Sequence, residues 1–131
     1  MPDENVQTIT LTAATGADIN KRRFVSQGAS GVAHTTDGDD AVGVSMGFYD
    51  DSENTAGNAT TAHSVAVNQG MRIGVEAGAA VAIGDDVSSD GTGRVITSAS
   101  GDAILGVAVS AGTAAGQIVD VVFSKAGRAT A

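Results

Sequence analysis

The sequence predicts an all-β fold: a small β-sandwich or β-barrel of short strands, with a two-fold internal pseudo-repeat and an extended N-terminal arm. Three observations carry that expectation. Apolar residues recur with period two, clusters of Gly, Asp, Asn and Ser interrupt them at short intervals, and two stretches 63 residues apart share residues at matching positions. Many short strands with regular turn signals build sandwiches or barrels.

In chain order, Val6 to Thr12 alternates β-branched and polar residues and reads as a first strand or as an arm. Residues 1–20 therefore form an N-terminal arm or first strand, and 21–131 form a single β domain. Arg23 to Gln27 is the next strand, and His34 lies in the one that follows it. Val42, Val44, Met46 and Phe48 alternate and share one sheet face. Tyr49 to His63 is rich in Asp, Asn, Ser and Thr, so 49–63 reads as an exposed polar loop, and a loop of that length is functional or mobile. Further strands follow at Ser64 to Asn68, at Met71, Ile73 and Val75, and at Arg94 to Thr97. The last two are Leu105, Val107 and Val109, and Val119, Val121 and Phe123. Turns fall at Gln27-Gly28, Asp37-Gly38, Asp85-Asp86, Asp90-Gly91-Thr92-Gly93 and Ser100-Gly101-Asp102, whose residues tolerate positive φ or cap their own backbone. Only Ala77 to Ala82 and Ala111 to Ala115 carry enough Ala to suggest helix.

Aligning Phe24 to Gly47 with Val87 to Ser110 without gaps gives seven identities over 24 positions. They are Ser26/Ser89, Gly28/Gly91, Val32/Val95, Gly38/Gly101, Asp39/Asp102, Gly43/Gly106 and Val44/Val107. The shared unit reads as strand, Gly turn, strand, Gly-Asp turn and a small-residue strand, so the fold is expected to be built from two like halves.

At 131 residues the chain has one domain's worth of length, with a folded surface expected near about 6,300 Å². Its core must be made mostly of Ala, Val and Ile, because Phe24, Phe48, Tyr49 and Phe123 are the only aromatics. Such a lean core, in a chain with 18 Gly, gains disproportionately from burying a further face against a partner or a second copy. Fifteen acids against seven bases give a formal charge of −8, which argues against nucleic-acid binding. The one basic cluster, Lys21-Arg22-Arg23, reads as the rim of a strand. No run of apolar residues is long enough to span a membrane, and the start Met1-Pro2-Asp3-Glu4 has no secretory pattern.

Chemistry-bearing constellations are sparse. With no Cys, thiolate metal sites, thiol nucleophiles and disulfides are excluded. The only histidines, His34 and His63, read as surface or strand-edge residues, and neither Gly28-Ala29-Ser30-Gly31 nor His63-Ser64 forms a nucleophile elbow. The acidic clusters Asp37/Asp39/Asp40, Asp50/Asp51/Glu53 and Asp85/Asp86 lack EF-hand spacing, and Asp39, Asp85 and Asp102, each following Gly, are expected to cap turns. Gly91-Thr92-Gly93 precedes a strand, so it is a hairpin turn and not a phosphate cradle. No enzyme and no cofactor is expected, and no metal site beyond a weak adventitious ion site that Asp50 to Asn54 leaves open.

Residues 75–87, Asp90 to Val95, Gly101 to Ala108 and Ala114 to Phe123, with Arg23-Phe24-Val25 and Asp39 to Val44 before them, resemble a family of small tailed-phage head proteins that decorate or cement capsids. The resemblance implies a β-fold subunit on the outer capsid surface of the virion, made in the host cytoplasm and bound between major capsid proteins. It implies no catalytic residues, and it implies self-association, with a homotrimer first and a dimer next. A cement needs surface to cover a seam, and the uncharged, β-prone Asn5 to Thr12 can add as a strand to a neighbour, so Val6, Ile9 and Leu11 are the expected partner contacts. The same segment also reads as an ordinary first strand. The competing reading is a secreted or surface β-domain for adhesion or sugar binding, for which Tyr49 is the candidate stacking ring.

Overall fold

The computed structural model describes residues 5–14, 16–50 and 62–129. Ten strands run in order: β1 (Thr8–Thr12), β2 (Phe24–Gly28), β3 (Gly31–His34), β4 (Gly43–Ser45), β5 (Ala62–Ala66), β6 (Met71–Glu76), β7 (Asp86–Ser89), β8 (Val95–Thr97), β9 (Gly106–Ala108) and β10 (Ile118–Phe123). They form two antiparallel five-stranded sheets, β1-β5-β4-β2-β3 and β6-β10-β9-β7-β8, in a sandwich-like, all-β arrangement. Among the described residues there is no helix. The Ala-rich stretches 77–82 and 111–115 are bends and isolated bridges rather than helix, because backbone groups in them are taken across the fold: Ala77 N–H by Gln117 O, Val81 N–H by Gly112 O and Gly112 N–H by Val81 O. The accessible surface is 6211 Å², close to that expected for a chain of this length.

The two strand orders are one order written twice, each strand of the second sheet being five places after its counterpart in the first. The equivalence extends beyond the strands. In each half a parallel bridge ties the end of the first strand to the third, Ala13 to Val32 and Ala77 to Val95, so the sheet curls until its outer strands touch. A second bridge pairs Ile19 with Tyr49 and Val81 with Gly112. Register refines the alignment: Val25 faces Gly43 in one half and Val87 faces Gly106 in the other, so β2 matches β7 one residue earlier than an ungapped alignment has it. The structural partner of Ser26 is thus Ser88, not Ser89. The side chains agree: Ser26 Oγ bonds Thr35 Oγ1 at 2.9 Å and the carbonyl of Asp40, while Ser88 Oγ bonds Ser98 Oγ at 2.6 Å and the carbonyl of Ala103.

Gly43 and Gly106 recur for a packing reason. A Cβ on Gly43 would collide with the carbonyl oxygen of Ala66, and one on Gly106 with that of Val122, on the neighbouring strand. Another matched position is conformational: Arg22 has φ +61°, the only positive value at a non-glycine among the described residues, and its counterpart is Gly84 at +91°.

The smaller core fills the first half with Ala13, Ile19, Val25, Val32, Tyr49 and Val65. The larger one fills the second half and continues into the joint between halves, where Phe24, Val44 and Ala66 on the outer face of the first sheet pack against it. Phe24 and Phe123 approach with ring centroids 6.4 Å apart. Polar bonds close the same joint: Glu76 N–H to Arg22 O at 2.9 Å, Phe24 N–H to Gly93 O at 2.7 Å, and Arg23 Nη2 to Glu76 at 3.2 Å.

Two sequence expectations change. The run Val42 to Phe48 is strand only over Gly43–Ser45; the chain turns where Ser45 Oγ bonds the carbonyl of Gly47, leaving Phe48 58% exposed. Of the polar loop at 49–63, residues 51–61 lie outside the described ones, and both of its ends are buried rather than exposed. Tyr49 is held by its bridge to Ile19, and His63 sits in β5.

Candidate functional site

The titratable groups inside the fold are engaged in structure. His34 Nε2 accepts from the Asn20 N–H at 3.0 Å. Burial, and then the nearby Arg23 guanidinium, push the His34 pKa below the usual value. His63 is buried, which lowers its pKa too, and its Nε2 lies 2.7 Å from Ser45 Oγ. Ser45 spends its single proton on Gly47 O at 2.8 Å, so His63 Nε2 carries the hydrogen and donates to Oγ. A ring in that tautomer holds the serine in place and does not activate it as a nucleophile.

The acids likewise close turns. Asp85 accepts from Ala82 N–H, Asp102 from Ala99 N–H, and Asp39 from Thr36 Oγ1 and Asp40 N–H. Asp90 organises the β7–β8 hairpin. Burial pushes its pKa up, but the N–H groups of Thr92 and Arg94 and the Arg94 guanidinium outweigh this and hold the carboxyl below the ordinary range. No three His, Asp or Glu side chains cluster in a metal-binding group among the described residues. Tyr49, the ring expected to stack on sugar, is only 4% exposed and presents no face to solvent.

The candidate site is therefore surface. Of the three expected contact residues, only Ile9 is exposed, at 44%, although it pairs with the buried Val65 of β5. Val6 packs on the larger core and Leu11 on the smaller. The stretch before β1 is tied down: Asn5 Oδ1 accepts from Arg72 N–H at 2.7 Å, Asn68 Nδ2 donates to Asn5 O at 2.9 Å, and Gln7 N–H donates to Asn68 Oδ1 at 2.7 Å. What β1 does offer is an edge. In the second half the matching strand, β6, is covered, with Glu76 N–H bonded to Arg22 O and Gly74 O accepting from Arg22 Nη1. The counterparts of Glu76 and Gly74 are Thr12 and Thr10, and no such bond reaches either among the described residues. Among the described residues the N–H of Thr12 and both backbone groups of Thr10 are free to pair with an added strand, while the Thr12 carbonyl is packed against Gly31 of β3.

A second surface lies at the end of the second half, where the loops spanning 77–85 and 109–117 run side by side. Ala80 to Ala82 with Asp85, and Ala111 to Thr113, line an open groove of about 480 Å³. Ile83, 68% exposed, lies in the first of these loops, and Ile118, 54% exposed, opens β10 directly after the second. Sequence reasoning passed over this surface because the alanines were weighed only for helix. The signal that would have found it is the uncharged run of small and aliphatic residues from Ala77 to Gly84.

Comparisons with known proteins bear on the fold and on the family. No curated protein matches the chain. Among solved structures, that of the head fiber gp8.5 N base of bacteriophage phi29 is similar in fold, with a TM-score of 0.70 at 18% identity, covering 94% of this chain and 99% of that one. The sequence profile described as "Phage cement protein" matches residues 4–123. By that match, the chain belongs to the phage cement protein family, a family of phage structural proteins.

Proposed function

We propose that the protein is a capsid decoration protein that binds the outside of a phage head and stabilises contacts between major capsid proteins, with no enzymatic step. The observation that carries this reading is family membership over residues 4–123, joined to a molecule in which Ser45, Asp85 and Asp102 are spent on its own turns. In this reading the free edge of β1 and the exposed Ile9 meet a capsid protein by strand addition, with Val6 and Leu11 fixing β1 from behind. The subunit acts as a homotrimer, with a dimer as the alternative, because a lean core gains from covering a further face.

The test is co-sedimentation with empty heads that lack the protein, followed by heating the particles with and without it. Binding together with a higher disruption temperature supports the reading; wild-type protein left in the supernatant overturns it. Thr10→Pro removes an outward N–H without breaking a β1–β5 bond, so it should fold normally and weaken capsid binding. Mass by light scattering separates trimer, dimer and monomer.

A further inference from the structure

We propose that the groove end of the second half, formed by the loops 77–85 and 109–117, is a second capsid-binding face. It would take a protein surface that presents bulky apolar side chains flanked by Lys or Arg. This rests on the decoration reading and adds to it which face docks and what chemistry it requires.

The internal duplication supplies the comparison that isolates this face. The bridges Ile19 to Tyr49 and Val81 to Gly112 put the same backbone framework at the end of each half. On the first framework the outward positions carry Asp18, Asn20, Lys21 and Phe48; on the second the matching positions carry Ala80, Ala82, Ile83 and Ala111. One copy is thus mostly polar, and the other has lost each of those charges and gained a β-branched residue that is 68% exposed. The fold does not need Ile83 there, since Lys21 serves the same backbone position. Exposed apolar surface that stability does not require marks an interaction site.

The form of the surface indicates its occupant. Small side chains on both walls leave the groove open to receive larger ones, and Ile83 stands beside it as a knob. The two loops hold no Lys or Arg, and their only acid is Asp85, with the exposed Asp86 next to it. Asp85 is bonded to Ala82 N–H at 3.1 Å and Thr97 Oγ1 at 2.9 Å, so its charge is fixed at the flank of the groove. Two copies of this chain meeting face to face here would bring these acidic flanks together in a molecule that already carries −8. A capsid surface with an apolar centre and a basic flank meets both features. With the edge of β1 on the first half, the molecule then has one docking surface on each half, which is what spanning a seam requires.

The experiment compares matched positions in the two halves on empty heads. Ile83→Glu and Ala111→Glu alter exposed side chains, and unchanged melting temperatures confirm that both fold. Each should bind at least about tenfold more weakly than wild type, while Lys21→Ala and Phe48→Ala at the matching places in the first half bind as wild type does. If wild type binds and Ile83→Glu binds equally, the face is wrong and the decoration reading stands. If wild type does not bind, that reading falls and the face falls with it. If Ile83→Glu instead lowers the mass of the free oligomer and leaves capsid binding intact, the occupant is a second copy and the proposal is overturned.

Discussion

The two halves of the molecule share one backbone and use it oppositely. On the outer face of the first sheet, Phe24, Val44 and Ala66 are fully buried against the second half. On the second sheet the same places hold Asp86 and Val107, both exposed, and the half-buried Val122. Inside, the relation reverses: the first half buries the polar pair Ser45 and His63 where the second has Ala108 and Val119. The loop at 38–41 of the first half is met by Ser89, Ala103 and Lys125, whereas its counterpart at 101–104 is stitched to the segment 126–129 of the same half. The hydrogen-bond framework is shared, and five interior positions, Ala13/Ala77, Ile19/Val81, Val25/Val87, Val32/Val95 and Val65/Val121, stay buried and apolar in both. The faces are then free to diverge, and their divergence records what each one touches.

Exchanging residues between the halves puts this contrast under strain. The largest effect is expected from Phe24→Asp, which gives the first half the residue of the second. It removes a fully buried ring and leaves an unpaired carboxylate in the joint, a loss of at least about 4 kcal/mol in chemical denaturation. Asp86→Phe, the reverse exchange on an exposed position, should leave stability nearly unchanged. Comparable losses in the two experiments would mean that the halves are not used differently.

Next come Gly43→Ala and Gly106→Ala. Each places a methyl group against a neighbouring strand's carbonyl, and each should cost about 1–3 kcal/mol. Their equality is the point; tolerance of one alone would break the equivalence of the frameworks. A milder contrast is Val44→Ala, expected to cost about 1–2 kcal/mol, against Val107→Ala, under about 0.5 kcal/mol, because Val107 is already 38% exposed.

The smallest effect concerns acid. Burial holds the pKa of His63 and of His34 below the unfolded value, so on acidification the unfolded chain takes up protons that the folded one refuses. Stability is full at neutral pH and falls as the pH drops below about 6.5, the ordinary histidine value. The Asp90 carboxyl, lowered in the fold, adds stability that is lost only at more acidic pH, so it does not confuse the reading. Installing the second half's residues, Ser45→Ala with His63→Val, should flatten the slope of melting temperature between pH 7 and about pH 5, leaving the share due to His34. An unchanged slope would exclude His63 as its source.

How far the sequence could be read follows from which interactions are local. Period-two alternation and Gly-Asp turns identify strands because side-chain direction and turn chemistry are properties of a few adjacent residues; Val119, Val121 and Phe123 show it in β10. The repeat was legible through Gly43 and Gly106, since a carbonyl at the same distance above the backbone admits only glycine in both halves. The one-residue shift of β2 against β7 was not, because Ser89 imitates Ser88 in a gapless alignment. Alternation also cannot distinguish a face covered by the other half from one left to solvent, so the different fates of Val44 and Val107 had no local signal. Tyr49 and His63 were misjudged because polar neighbours dominate their windows, while their burial depends on Ile19 and Ser45, distant in the chain. At the candidate site, β1 was visible as a strand but its free edge was not, for that depends on the absence of a cover which β6 receives from Arg22.

The joint between the halves has a further consequence. It sets the outer face of one sheet against the edge of the other, a front-to-back union that no half-turn maps onto itself. Such a molecule has a direction, like an arrow. Its two ends present different chemistry, and reversing it end for end gives a different fit to whatever it lies against.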